Sequence, residues 1–477
     1  MRLRPRITRR LAALVAAMSL LLLTALSSAP AGASSAVDWS TFGFDAQRTG
    51  YNPFETTIGT GNAAGLHKLW SVDLGDVMIA QPVEAAGVDI NGTSTNVIYV
   101  GTEHGDFYGL RATDGSTVWH RNLGSVDTGC SDMPDDIFGI GGAAAVDHGA
   151  GVVYLAGGDG KVHAMDMATG TEEPGWPVGH VFDRNQEHVY GGLNIDAATN
   201  QLYVVVASHC DFSPYQGKLT DIDIPSHSKV ATFKPAGNQN GGGIWGPGGA
   251  SLDPGNGHVF VATGNALANP EYFKYSEDVV ELDSGLNVLG HNYPGLTGGD
   301  VDFGATPILY QRPGCPAQVT AKNKSGVLVT YTEGDVSAGY TQRLQIADVN
   351  DYQFNGIPAW DPKTNMLYIG NSSDSSSGIY LHGMMALKVT SACKLRLAWQ
   401  QPVGPNPSSV SPPTVANGVV YYGDGYQNEE FAFDAKTGDL LWSSGSTIGG
   451  GLYAAPTVVN GQLLVPSWDH RLYAFGV

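Results

Sequence analysis

Charge is scarce in this chain. Only 15% of its 477 residues are Asp, Glu, Lys or Arg, and the basic kind is the rarer, 25 against 45 acidic. A formal charge of −20 repels phosphate backbones and anionic lipid, which excludes nucleic acid and membrane surfaces as partners. Cysteine is scarcer still, with four residues and no Cys-x-x-Cys spacing, which argues against a structural zinc site. Without a Cys-x-x-Cys-His run, no c-type haem is attached. Beyond the first 30 residues no apolar run is long enough to cross a bilayer, so no membrane insertion is expected. Glycine, by contrast, is abundant at 64 residues, and with so little charge this suits a turn-rich β protein.

The N-terminus has a different character. MRLRPRITRR carries five arginines, LAALVAAMSLLLLTALSSAP is apolar, and Ala31-Gly32-Ala33 closes the segment in small residues. This layout predicts a signal peptide over 1–33 and a secreted, extracytoplasmic protein. Without those arginines the balance becomes more acidic still. In an oxidising compartment the four cysteines are expected to form two disulfides.

FAFDAKTGDLLW (431–442) places two apolar β-type segments around a turn and ends in Trp442. GLRATDGSTVW (109–119), of nearly the same length, repeats its Trp, AMDMATGTEEPGW (164–176) keeps Asp166, Thr169 and Gly170, and ALKVTSACKLRLAW (386–399) is a longer copy. Alternating Val/Tyr-rich stretches precede each copy, and eight such stretches begin near 97, 152, 202, 258, 319, 366, 419 and 462. The period predicts an all-β, eight-bladed propeller of four-stranded antiparallel blades. The last unit stops one strand short at RLYAFGV, while LHKLWSVDLG (66–75) is a Trp strand with no unit before it. Joining the two closes the ring and leaves no sheet edge. The expected division is a signal peptide at 1–33, a lead-in segment at 34–65 and the propeller at 66–477. Trp70, Trp119, Trp176, Trp399 and Trp442 are expected to pack between blades.

Asp-x-x-Thr-Gly-x-x-x-Trp repeats in eight blades resemble the quinoprotein alcohol dehydrogenase superfamily, whose members hold pyrroloquinoline quinone (PQQ) on the propeller axis or keep the scaffold alone. The lead-in DWSTFGFDAQRTGYNP resembles the start of PQQ-repeat proteins related to polyvinyl alcohol dehydrogenase. The resemblance implies roles for the places that break the repeat. In GGGIWGPGGASLDPGNGHVFVATGNA (241–266), Trp245 would floor the quinone and Asn265 would bind Ca²⁺. In SHCDFSPYQG (208–217), Asp211 would be the carboxylate Ca²⁺ ligand. In GGDVDFGATPIL (298–309), Asp302 matches the catalytic aspartate and would also ligate the metal, with Asp300 supporting it. In KNKSGVLV (322–329), Lys324 would contact the quinone oxygens.

The loop TGCSDMPDDIFG (128–139) departs from the family's pattern. It has the single Cys130 where the enzymes often carry adjacent cysteines against the cofactor, and Ile137 or Phe138 stands near their arginine. MIAQPV (78–83) also lacks the glutamate that the enzymes use to hold the quinone. Four cysteines allow three pairings. Cys130 with Cys210 is favoured, since both precede an acidic turn in blades expected to share the cofactor face, which leaves Cys315 with Cys393. Cys130 and Cys210 would then border the quinone.

The function so implied is oxidation of a small or polymeric alcohol by hydride transfer to PQQ beside Ca²⁺, with electrons passing to a separate acceptor. A monomer is expected. The alternative is a non-catalytic propeller that serves as a protein- or polysaccharide-binding scaffold, for which the aromatic loops 269–278 and 350–356 would be suited.

Overall fold

The repeat signature explains the architecture locally. In FAFDAKTGDLLW, Asp434 Oδ1 accepts from the Lys436 and Thr437 main-chain N–H groups at 2.8 and 2.9 Å, pinning the turn between two strands. Asp166 does the same for Ala168 and Thr169. The Trp of one blade then reaches the turn of the next. Trp70 Nε1 donates to Ala112 O, Trp119 Nε1 to Met167 O and Trp399 Nε1 to Ala435 O. Gly115, Gly170 and Gly438, all at positive φ, lie under those indoles, where a Cβ would come within 2.5–2.8 Å of the ring. Trp442 meets Phe475 of the last blade edge-on, and Trp176 lies against Tyr154 and His227.

In the computed structural model, residues 36–477 are described except 132–135, 180, 269–271, 297–300 and 350–355. The segment 1–33 and Asp300 lie outside the described residues, as do parts of the loops 269–278 and 350–356. The chain forms an eight-bladed propeller. The eight Val/Tyr-rich stretches are the second strands of the blades: Thr93–Gly101, Val152–Ala156, Gln201–Val206, His258–Ala262, Gln318–Lys322, Met366–Asn371, Val419–Asp424 and Gln462–Pro466. The ring closes as expected: His67–Asp73 pairs antiparallel with Arg471–Gly476, with Trp70 opposite Ala474. Two blades depart from four strands. Blade 2 has three, its outer position held by the bridges Val162↔Val178 and Met165↔Glu172, where the repeat carries two extra residues. Blade 7 gains a fifth, Tyr51–Asn52, parallel to its first strand.

First strands of neighbouring blades touch one another, so they line the axis. The lead-in segment threads between them and bonds to every blade in turn. Trp39 pairs with Glu84 in blade 1, Ser40 O accepts from Val146 N in blade 2, and Thr41 Oγ1 donates to Leu193 O in blade 3. Ala46, Gln47, Thr49 and Gly50 carbonyls accept from Leu252, Leu309, Trp360 and Val415 N–H groups in blades 4 to 7, and Asn52 Nδ2 donates to Val458 O in blade 8. Arg48, 1% exposed, gives its guanidinium to Thr41 Oγ1 and to the Phe42, Gly192, Leu193 and Ala250 carbonyls. Burial pulls its pKa down to about 9. Phe42 fills the axis among Ala143, Gly192, Gly248, Ala305 and Ala455.

Antiparallel pairing sorts the connections by end. Loops between second and third strands, and those from an outer strand to the next first strand, emerge together at one end, the loop end. The short turns after first and third strands lie at the other.

Candidate functional site

Trp245, Asp302, Asp211, Asn265 and Lys324 all fall at the loop end. Trp245 and Asp302 are in outer-to-first connections, before blades 4 and 5. Asp211, Asn265 and Lys324 are in second-to-third loops of blades 3, 4 and 5.

Three of them are in direct contact. Trp245 Nε1 donates to Asp302 Oδ2 at 2.8 Å, Lys324 Nζ lies 3.0 Å from Asp302 Oδ1, and the same ammonium sits 4.7 Å above the Trp245 ring. Lys324 N also donates to Asp302 O at 3.1 Å, so the two loops are tied by main chain as well. Asp302 is 3% exposed and Trp245 and Lys324 are half-buried. Asn265 joins through its neighbour: Gly264 N donates to Gly243 O, and a Cβ on Gly264 would lie 2.8 Å from Asp302 Oδ2. Only glycine leaves the carboxylate that space.

Asp211 is exposed and reaches the group through Tyr215, a residue the sequence did not single out. Tyr215 Oη donates to Asp211 Oδ1 at 2.6 Å, and its phenol is held well above its ordinary pKa, chiefly by burial and then by the charges of Asp211 and Asp302. Tyr215 lies four residues after Asp211, but only the folded loop turns its hydroxyl back towards that carboxylate.

The disulfides are Cys130–Cys210 and Cys315–Cys393, the favoured pairing. The first ties the loop before blade 2 to the Asp211 loop. Beside it, Phe138 is buried against His188, Tyr190 and His209, with ring centroids 4.8–5.8 Å away. Burial presses the His188 pKa down to about 3, so this imidazole stays neutral, its Nδ1 accepting from His209 N at 2.9 Å. An aromatic cluster around Phe138 thus occupies the place where the resemblance puts an arginine. Glu103, in the second-to-third loop of blade 1, is a further buried acid at this end. It is 1% exposed and accepts from Gly139 N, while its Oε1 has no hydrogen-bond partner. Burial, with Asp76 adding repulsion, pushes its pKa up to about 8.

The oxygen donors Asp211, Asn265 and Asp302 fit a hard cation such as Ca²⁺ in chemistry. The Trp245 face fits a flat ring, although a ring stacked there would take the place of the Lys324 ammonium.

The fold is an eight-bladed propeller built of PQQ-type repeats. A family model described as outer membrane protein assembly factor BamB matches residues 57–228 and 394–476, more than half the chain, and the protein belongs to this PQQ-repeat family. Among solved structures, it is similar to the quinohemoprotein alcohol dehydrogenase of Comamonas testosteroni (TM-score 0.69, 16% identity, 94% of this chain and 81% of that one). A europium-containing methanol dehydrogenase gives a TM-score of 0.68 at 16% identity over 92% and 98% of the two chains. BamB from Moraxella catarrhalis gives 0.56 at 14% over 86% and 100%. No curated protein matches the sequence.

Proposed function

We propose that the protein is an exported quinoprotein-type dehydrogenase that oxidises an alcohol or hydroxylated polymer and passes the electrons to a separate acceptor. The observation that carries this reading is the contact of Trp245, Asp302 and Lys324 at the loop end, where loops of three blades meet. Two disulfides fit an extracytoplasmic setting, and no helix among the described residues is long and apolar enough to cross a membrane.

In this reading Asp211, Asn265 and Asp302 would hold Ca²⁺ and Trp245 would floor PQQ, which when bound would supply the two-electron acceptor for the substrate's hydride. Asp302 would accept the substrate hydroxyl proton at a carboxylate oxygen. Trp245 Nε1 orients that carboxylate. Lys324 would offer its ammonium to the quinone oxygens. Tyr215 holds Asp211 in place, and Phe42 and the lead-in close the axis beneath, which keeps water from reaching the site along it. The test is dye-linked oxidation of a primary-alcohol panel and of polyvinyl alcohol after loading with PQQ and Ca²⁺. Asp302→Asn should lower the rate by about 10²- to 10⁴-fold. An unchanged rate in that variant refutes the assignment.

A second reading, a scaffold that binds protein or polysaccharide, is favoured by the aromatic Phe138 cluster in the arginine's place. It requires a chain that binds no PQQ under any Ca²⁺ condition.

A further inference from the structure

In blade 2 the place of a fourth strand is taken by residues 171–178, and they are held differently from an ordinary strand edge. At their two ends the main chain meets the third strand, Val162–Asp166. Asp166 N donates to Thr171 O at 2.9 Å, and Val162 and Val178 exchange both of their main-chain bonds, at 3.1 and 2.9 Å. Between these ends Glu173 N donates to Ala164 O at 2.8 Å, but Ala164 N donates to a side chain, Glu172 Oε1, at 3.0 Å. The other oxygen of Glu172 lies 2.7 Å from His163 Nδ1. His163 is 4% exposed, and its Nε2 lies 3.1 Å from Asp159 Oδ1.

Two carboxylates therefore face the two ring nitrogens of one buried imidazole. An ionised carboxylate only accepts, so both nitrogens have to carry a proton and the ring is a cation. A neutral ring has one proton and would turn a lone pair on one of the two acids. Asp159 stays ionised: burial opposes its charge, but His163 and Lys161 hold its pKa down to about 2. Lys161 Nζ covers the far oxygen of Asp159 at 2.9 Å. Across the ladder His163 lies opposite the uncharged Leu155, and a Cβ on Gly157 would lie 3.0 Å from Nε2. Burial works against the imidazolium, yet the bonds and charges of Asp159 and Glu172 outweigh it and raise the His163 pKa above its ordinary value.

We propose that residues 171–178 form a pH-sensitive strap, closed over the edge of blade 2 while His163 carries both ring protons and loosened when one is lost. Glu172 joins the strap to the strand edge and to the imidazolium at once, so the loss of one charge reaches both contacts. Because the folded pKa is raised, this contribution is complete below about pH 6.5 and is lost as pH rises through the folded value. Few main-chain bonds hold the strap, so it can open without the rest of the blade. The strap lies apart from the proposed dehydrogenase site, and its test needs no cofactor.

The test is amide hydrogen exchange of the full chain read by mass spectrometry, corrected for the intrinsic pH dependence of exchange. Protection within 171–178 should fall about tenfold or more between about pH 6 and about pH 9, as expected for the loss of one charge-assisted bond. The corresponding turn of blade 7, residues 434–442, has no histidine and should keep its protection. His163→Gln should remove the step, and Glu172→Gln, which deletes one of the two charges, should move it about one unit towards lower pH. Protection that is flat in the wild type, or a step that survives in His163→Gln, overturns the proposal. Should His163→Gln fail to fold, an unshifted step in Glu172→Gln overturns it.

Discussion

Asp302 sits between two donors of different kinds, an indole N–H and an ammonium, and each makes a separable prediction. Lys324→Met removes the ion pair but keeps the bulk over Trp245. Asp302 is nearly buried, so losing its cation should lower the melting temperature as well as activity, whereas exposed pairs such as Arg471–Asp73 should matter little. Melting curves of Lys324→Met and Arg471→Met compare the two. Glu103 gives a pH prediction. Its folded pKa, pushed to about 8, lies above that of an unfolded glutamate, so the folded state keeps a proton that the unfolded chain has released. The stability it contributes is complete below pH about 4 and is lost as pH rises through about 8. Each pH unit in that window costs roughly 1.4 kcal/mol. Glu103→Gln should therefore raise the melting temperature near pH 8 relative to the wild type and narrow that gap near pH 4. A pH-independent gap would contradict the assignment. Glu103 was not legible in the sequence, because nothing in GTEHG says that its side chain turns away from water.

At the scale of elements, the strand count, the blade order and the closing strand were legible because the Asp-x-x-Thr-Gly-x-x-x-Trp unit is local: turn, glycine seat and tryptophan all lie within about a dozen residues. The path of residues 39–52 was not. Its bonds run to partners as distant in sequence as Val458, and no local pattern encodes them. Two predictions belong here. Deleting residues 66–75 removes the strand that pairs with Arg471–Gly476 and exposes an edge, so the variant should aggregate on gel filtration. A soluble monomer would contradict the closure. Arg48→Leu should cost at least about 3 kcal/mol in denaturant unfolding, since the buried Phe42 and Gly192 carbonyls lose their donor and those of Leu193 and Ala250 lose one of two. That the candidate residues share one end followed from blade order alone, because antiparallel strands place those loops together. Tyr215 as the link to Asp211, and the aromatic cluster around Phe138, depend on loop conformations that the sequence does not spell out.

For the molecule as a whole, the propeller is a rigid ring whose axis is filled by its own N-terminal segment. That leaves the loop end as the face on which a cofactor and an alcohol would meet. The two readings of that face differ in one physical property: a dehydrogenase site must take up a flat, multiply charged quinone with a hard cation, and a scaffold need not. The direct measurement is the absorbance spectrum of PQQ titrated with the metal-depleted protein, with and without Ca²⁺. The account predicts a Ca²⁺-dependent spectral shift that saturates at one quinone per chain, with Trp245 fluorescence quenched in parallel and both signals lost in Trp245→Ala. A spectrum equal to the sum of free PQQ and protein, with or without Ca²⁺, would contradict it.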